Sequence, residues 1–242
     1  MELLAKSNPS QTLKEHISDA LKIINSLKGS FSNIEKISYT ESFWELLKAS
    51  IVFHDLGKAH IEFQKLLYGQ KHNWKHQRHE LFSLPFVKSL SEKEREFIYL
   101  IVAGHHKDFK TLIHNLESYG SNNDDFGLDL GGTEEICTFE KEFEHNVSVE
   151  KVLELLKSFG YEMKAPVVHN PRMQLQQFVK KQFEDKNERT KLLLLAGAFK
   201  QCDHLASSGV ETILNLNVDD FQYLYESDYE FYKHQKNAGS LV

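Results

Sequence analysis

The chain has 242 residues, 40% of them hydrophobic, which is enough for one substantial core and close to the size at which single cores stop growing. Its 29 basic residues against 35 acidic ones give a net charge of −6. That balance excludes tight nonspecific binding of nucleic acid by the whole surface, so any such path is local or charged by bound metal. No window approaches a membrane-spanning apolar run, and MELLAKSNPS lacks the basic start and apolar stretch of an export signal, so a soluble cytoplasmic protein is expected.

Helical spacing of apolar residues dominates the chain. In Thr12 to Leu27, Leu13, Ile17, Ala20, Ile24 and Leu27 form one stripe, and Thr12 with Glu15 matches a capping box. A second helix is expected from about Glu41 to His54, with Phe43, Leu47 and Ile51 inward and Gly57 ending it; a third follows in AHIEFQKLLYG. Further helices are expected at His79 to Leu90, Glu92 to Ala103, Ser148 to Phe159, Pro171 to Phe183 and Glu188 to Ala206. Between them, residues 107–146 are rich in Asn, Asp and Gly without sustained period, which predicts a long irregular loop or insertion. Beta signals are few, so the expected class is an all-α bundle. Cys137 and Cys202 lack the spacing of a zinc or redox motif and are assigned no chemistry.

Chemistry-bearing residues recur at the ends and inward edges of these helices. His54-Asp55 in FHDLGKAHIEFQ places an imidazole and a carboxylate at a helix end, where both can turn toward one ion. His16 lies on the inward edge of the first helix, as a metal ligand or as a core histidine satisfied by a hydrogen bond. Asp203 falls on the stripe of Leu192, Ala196, Phe199 and Ala206, where a carboxylate is seldom buried unless paired or coordinated. His105-His106 leave the apolar helix EREFIYLIVAG side by side, and His79 stands in RHELFSLPF.

Taken in order, His16, His54-Asp55, His79, His105-His106 and Asp203 resemble the HD superfamily of metal-dependent phosphohydrolases. The fuller text, LAKSNPSQTLKEH, HDLGKAHIEFQ, RHELFS, AGHH and CDHLASS, resembles the HD nuclease domain of the CRISPR-associated type I helicase-nuclease. The resemblance implies an HD-domain helical bundle and a nuclease, more specifically an endonuclease, that hydrolyses single-stranded DNA in antiviral defence. It implies that His16, His54 and Asp203 hold one metal, that His79, His105 and His106 hold a second, and that Asp55 bridges them. Five imidazoles and two carboxylates suit Mn, Fe, Co, Ni or Zn better than Mg. Lys58 would reach the substrate phosphate, and Asp55 and Lys58 would be the catalytic pair.

Lys65, Lys71, Lys75 and Arg78, with Tyr68 and Trp74 interleaved, are either a path for a single strand or a solvated loop beside a packed Trp. The implied partners are single-stranded DNA, a helicase domain in cis or as a separate subunit, and a CRISPR RNA-guided surveillance complex. Residues 1–210 are then the nuclease domain and 211–242 an extension toward a helicase, since FYKHQKNAGSLV ends where a phosphate-binding loop would be expected. Two other functions stay open: an HD phosphohydrolase of nucleotides or signalling dinucleotides, and a metal-binding scaffold without activity.

Overall fold

The computed structural model describes residues 2–38, 40–74, 78–106, 133–169 and 171–209. A two-stranded antiparallel hairpin, β1 (Leu4–Ser7) and β2 (Ser10–Thr12), opens the described chain, and the elements named after it among the described residues are helical. The helices are α1 (Leu13–Ser30), α2 (Ile34–Ile37), α3 (Phe43–Phe53), a 3-10 turn (Leu56–Ala59), α4 (Ile61–Leu67), α5 (His79–Val87), α6 (Glu92–Gly104), α7 (Thr133–Asn146), α8 (Val149–Ser158), α9 (Pro171–Glu184) and α10 (Lys186–Ser207). The architecture is the expected all-α bundle.

The start of α1 follows from local chemistry. Thr12 Oγ1 accepts from the Glu15 amide at 3.1 Å, and the Glu15 carboxylate accepts from the Thr12 amide at 2.8 Å, completing the capping box. Leu13, Ile17, Ala20, Ile24 and Leu27 are all buried, so the stripe faces the core as its spacing requires. Asp185 performs the same service for α10, its carboxylate accepting from the amides of Asn187 and Glu188. In the centre α3 packs against α1, α6 and α10, and α5 packs against α6 and the 3-10 turn. α5 is therefore buried on every side and α3 on all but the face of Glu45 and Lys48.

Three expectations need correction. The irregular stretch expected over residues 107–146 ends earlier, because Thr133–Asn146 is helical. Phe139 and Phe143, one turn apart, are buried against Phe82 and Phe86, with Phe82 and Phe139 stacked at 5.3 Å; this burial holds the helix despite its polar remainder. Residues 107–132 lie outside the described residues. Gly57 does not cap α3, which ends at Phe53; it lies inside the 3-10 turn, and a Cβ there would overlap the His79 carbonyl. Close approach of two backbones, not a left-handed φ, is what requires glycine. The third helix begins at Ile61, two residues later than the apolar pattern suggests, because His60 caps it with Nδ1 accepting from the Glu62 amide.

Candidate metal centre

Six elements deliver side chains to one buried point. His16 comes from the first turn of α1, His54 and Asp55 from the end of α3, Lys58 from the 3-10 turn, His79 from the start of α5, His105 and His106 from just beyond α6, and Asp203 from the last turns of α10. All except Lys58 and His106 are buried, so ionisable groups have been drawn out of water, which requires partners or a cation.

Asp55 lies at the middle. Its Oδ2 is 3.2 Å from His54 Nε2, 3.7 Å from His16 Nε2 and 2.7 Å from Lys58 Nζ, while its Oδ1 is 2.9 Å from His79 Nε2 and 3.7 Å from His105 Nε2. The two oxygens of one carboxylate thus face two groups. Asp203 Oδ1 belongs with the first, 3.1 Å from His16 Nε2 and 3.6 Å from His54 Nε2. His16, His54 and Asp55 offer ligand atoms within 4.8 Å of one another, and so do Asp55, His79, His105 and His106.

The imidazoles are oriented as ligands are. His54 Nδ1 lies 2.7 Å from the Ile51 carbonyl and His105 Nδ1 lies 2.7 Å from the Val102 carbonyl. A carbonyl only accepts, so each Nδ1 carries a proton and each Nε2 is the nitrogen turned to the centre, the arrangement that orients a metal ligand. His105 Nε2 is buried without a hydrogen-bond partner among the described residues, and His16 Nε2 and His54 Nε2 approach to 3.4 Å. Buried ring nitrogens so arranged call for a cation among them, and nitrogen-rich donors with carboxylates fit a divalent transition metal.

Residues 1–210 match the family described as Cas3, HD domain. The chain belongs to the Cas3 HD-domain family. No curated protein matches it. Membership places the chain among metal-dependent HD phosphohydrolases, a class to which the clustered histidines and aspartates conform. No helix among the described residues is long and apolar enough to cross a membrane.

Around this Cas3-type centre stand residues that the sequence pattern does not single out. Ser83 on α5 donates to the His54 carbonyl and accepts from the Gly57 amide, both at 2.8 Å. Glu80 is buried beside His79 and pairs with Arg78 at 2.6 Å, and Arg78 also donates to the Ala103 carbonyl at 3.2 Å, joining the start of α5 to the end of α6. Gln64 accepts from the Leu4 amide and donates to the carbonyls of Leu4 and Lys58, tying the hairpin to the 3-10 turn. Arg78, Glu80 and Ser83 lie within RHELFS and Gln64 closes HDLGKAHIEFQ, but their contacts follow from burial, which is a tertiary property.

The expected basic strand path is changed by the same contacts. Arg78 is withdrawn into the interior with Glu80, so it cannot meet a strand as expected. Trp74 packs edge-on against His60 and Phe63, so it serves packing, while Tyr68 is exposed and its hydroxyl donates to the Glu2 carbonyl. Lys65 pairs with Glu62 at 2.6 Å, Lys71 is exposed, and Lys75 lies outside the described residues. Cys202 is a buried free thiol pushed up to about 12 by burial and then by Asp203, which leaves it unreactive. Cys137 lies in α7, with its side chain outside what the structure describes.

Proposed function

We propose that this chain is a nuclease that hydrolyses phosphodiester bonds of single-stranded DNA in CRISPR interference, using two divalent transition-metal ions. The observation that carries the reading is the central carboxylate of a Cas3-type chain, with one oxygen turned to each of two histidine groups. In this reading His16, His54 and Asp203 hold one ion, His79, His105 and His106 the other, and Asp55 both. When bound, such a pair supplies Lewis acidity toward a phosphate oxygen and lowers the pKa of the attacking water. The donor set favours Mn, Fe, Co, Ni or Zn over Mg.

The chain's own residues do the rest. The Ile51 and Val102 carbonyls hold His54 and His105 in the ligating orientation. Lys58, whose side chain is 14% exposed, stands at the rim with its ammonium 2.7 Å from Asp55, within reach of an incoming phosphate oxygen. Lys71, with Lys65, gives a local positive approach on an acidic chain, without Arg78. In this reading residues 1–210 serve as the nuclease domain in the cytoplasm, and a helicase supplies the strand displaced at an RNA-guided surveillance complex.

The test is cleavage of a circular single-stranded DNA, a matched linear duplex and bis-p-nitrophenyl phosphate under Mn²⁺ or Ni²⁺, with Asp55→Ala in parallel. Cutting of the circle, sparing of the duplex and loss of all cleavage in a still-helical Asp55→Ala are expected. Hydrolysis of the small diester without cutting of the circle would overturn the reading in favour of a small-molecule phosphohydrolase.

A further inference from the structure

We propose that Ser83 is a positioning residue that pins the turn carrying Asp55 against α5 and thereby sets the spacing between the two halves of the centre. The inference rests on the two-ion reading above and assigns a role to a residue that offers no ligand.

Ser83 is fully buried, one helical turn after His79. A helical serine in such a place ordinarily turns its hydroxyl to the carbonyl four residues back, here that of His79, but the distance is 3.5 Å. The proton goes instead to the His54 carbonyl at 2.8 Å, and the same oxygen accepts from the Gly57 amide at 2.8 Å. These two backbone groups bracket Asp55. The first is among the last carbonyls of α3, which lack partners within their own helix, and the second belongs to the turn that follows. One atom that both donates and accepts satisfies them together; an apolar side chain of the same size satisfies neither.

The clamp joins two surfaces with no slack between them, since a Cβ at Gly57 would overlap the His79 carbonyl. His79, on the helix that carries the clamp, reaches Asp55 Oδ1 at 2.9 Å. A slip of the turn along α5 therefore changes the Asp55-to-His79 distance directly. His16, His54 and Asp203 come from α1, α3 and α10; Ser83 touches this group at the His54 carbonyl, while the His54 ring is held separately by the Ile51 carbonyl. Loss of the clamp should therefore loosen the second group more than the first.

The experiment titrates the full chain with Co²⁺, followed by its visible absorption, and records the paramagnetic resonance of the Mn²⁺-loaded protein, for wild type, Ser83→Ala and Ser83→Cys. Wild type should bind two ions that are magnetically coupled. In Ser83→Ala the first ion should bind within about threefold of wild type, the second roughly 10–100-fold more weakly, as for other outer-shell partners of metal ligands, and the coupling should change at saturating metal. Ser83→Cys, similar in size but a weak donor, should fall between. If Ser83→Ala fails to fold, the same comparison is made on Ser83→Cys alone. A second ion bound with wild-type affinity and coupling overturns the clamp, and so does equal weakening of both ions with coupling intact, which is ordinary destabilisation. A single ion in wild type is a different result: it removes the two-ion reading itself, and the clamp with it.

Discussion

The imidazoles of the centre are prepared unequally by their neighbours. Burial works against a charge on His54, but the Asp55 and Asp203 carboxylates more than offset it and raise its pKa to about 10. Burial dominates at His79, at His105 and at His106, lowering all three, the last to about 4. At neutral pH the second group is therefore neutral and ready to ligate, whereas His54 must surrender a proton. The sign follows: a cation entering the first group competes with that proton, so its affinity should rise with pH, by about tenfold per pH unit for one proton exchanged. Titration of Co²⁺ between about pH 6 and pH 8, with proton release followed in weak buffer, measures this, and a flat affinity without release would contradict it.

Glu80 gives a second prediction at the same scale. Burial opposes its ionisation, but His79 and then Arg78 overcome this and lower its pKa from the ordinary 4.5 to about 2. A lowered carboxyl stabilises the fold above its unfolded pKa, so the contribution, on the order of 3 kcal/mol, is present above about 4.5 and lost as pH falls toward 2. Arg78→Ala removes the 2.6 Å partner of that buried carboxylate, with His79 Nδ1 still 3.7 Å away, and should cost about 1–3 kcal/mol in urea unfolding at neutral pH. It should leave the salt dependence of DNA binding unchanged; a shallower slope would return Arg78 to the strand path.

At the scale of elements, the centre is an arrangement of helix ends. His54 and His105 each follow the last residue of a helix and return Nδ1 to a carbonyl three residues back, so the end of α3 and the end of α6 each aim one Nε2 inward. The contact of the 3-10 turn with α5 is the tightest of these junctions. Gly57→Ala should force it apart, costing roughly 1–3 kcal/mol as overpacking does, and should weaken metal uptake at the second group more than at the first. Wild-type stability and metal binding in this variant would show that the junction yields freely.

Some of this was legible beforehand. The stripe of α1, its capping box, and the ends of α9 and α10 follow from local spacing, because i, i+4 patterning and capping act within one element. The helix Thr133–Asn146 was not legible, because a run of Asn, Asp and Gly precedes it and among its described side chains Phe139 and Phe143 mark the buried face. Tertiary burial, not propensity, makes it a helix.

At the scale of the molecule, net charge and composition set the terms for partners: an acidic chain with a small basic approach suits a strand brought to it rather than one captured from solution. Residue type and periodicity are local properties, so the helical class, the identity and order of the candidate ligands and the nitrogen-rich chemistry they suit could be read along the chain. Only the tertiary structure decided that Asp55 turns one oxygen to each group, that Arg78 goes inward to Glu80, and that Ser83 joins α5 to the Asp55 turn. Those outcomes depend on which helix ends meet and which polar atoms are thereby shut away from water. The partner that satisfies a buried atom lies 24 to 29 positions away for Asp55 with His79, Gly57 with Ser83 and His54 with Ser83, beyond the reach of any local pattern.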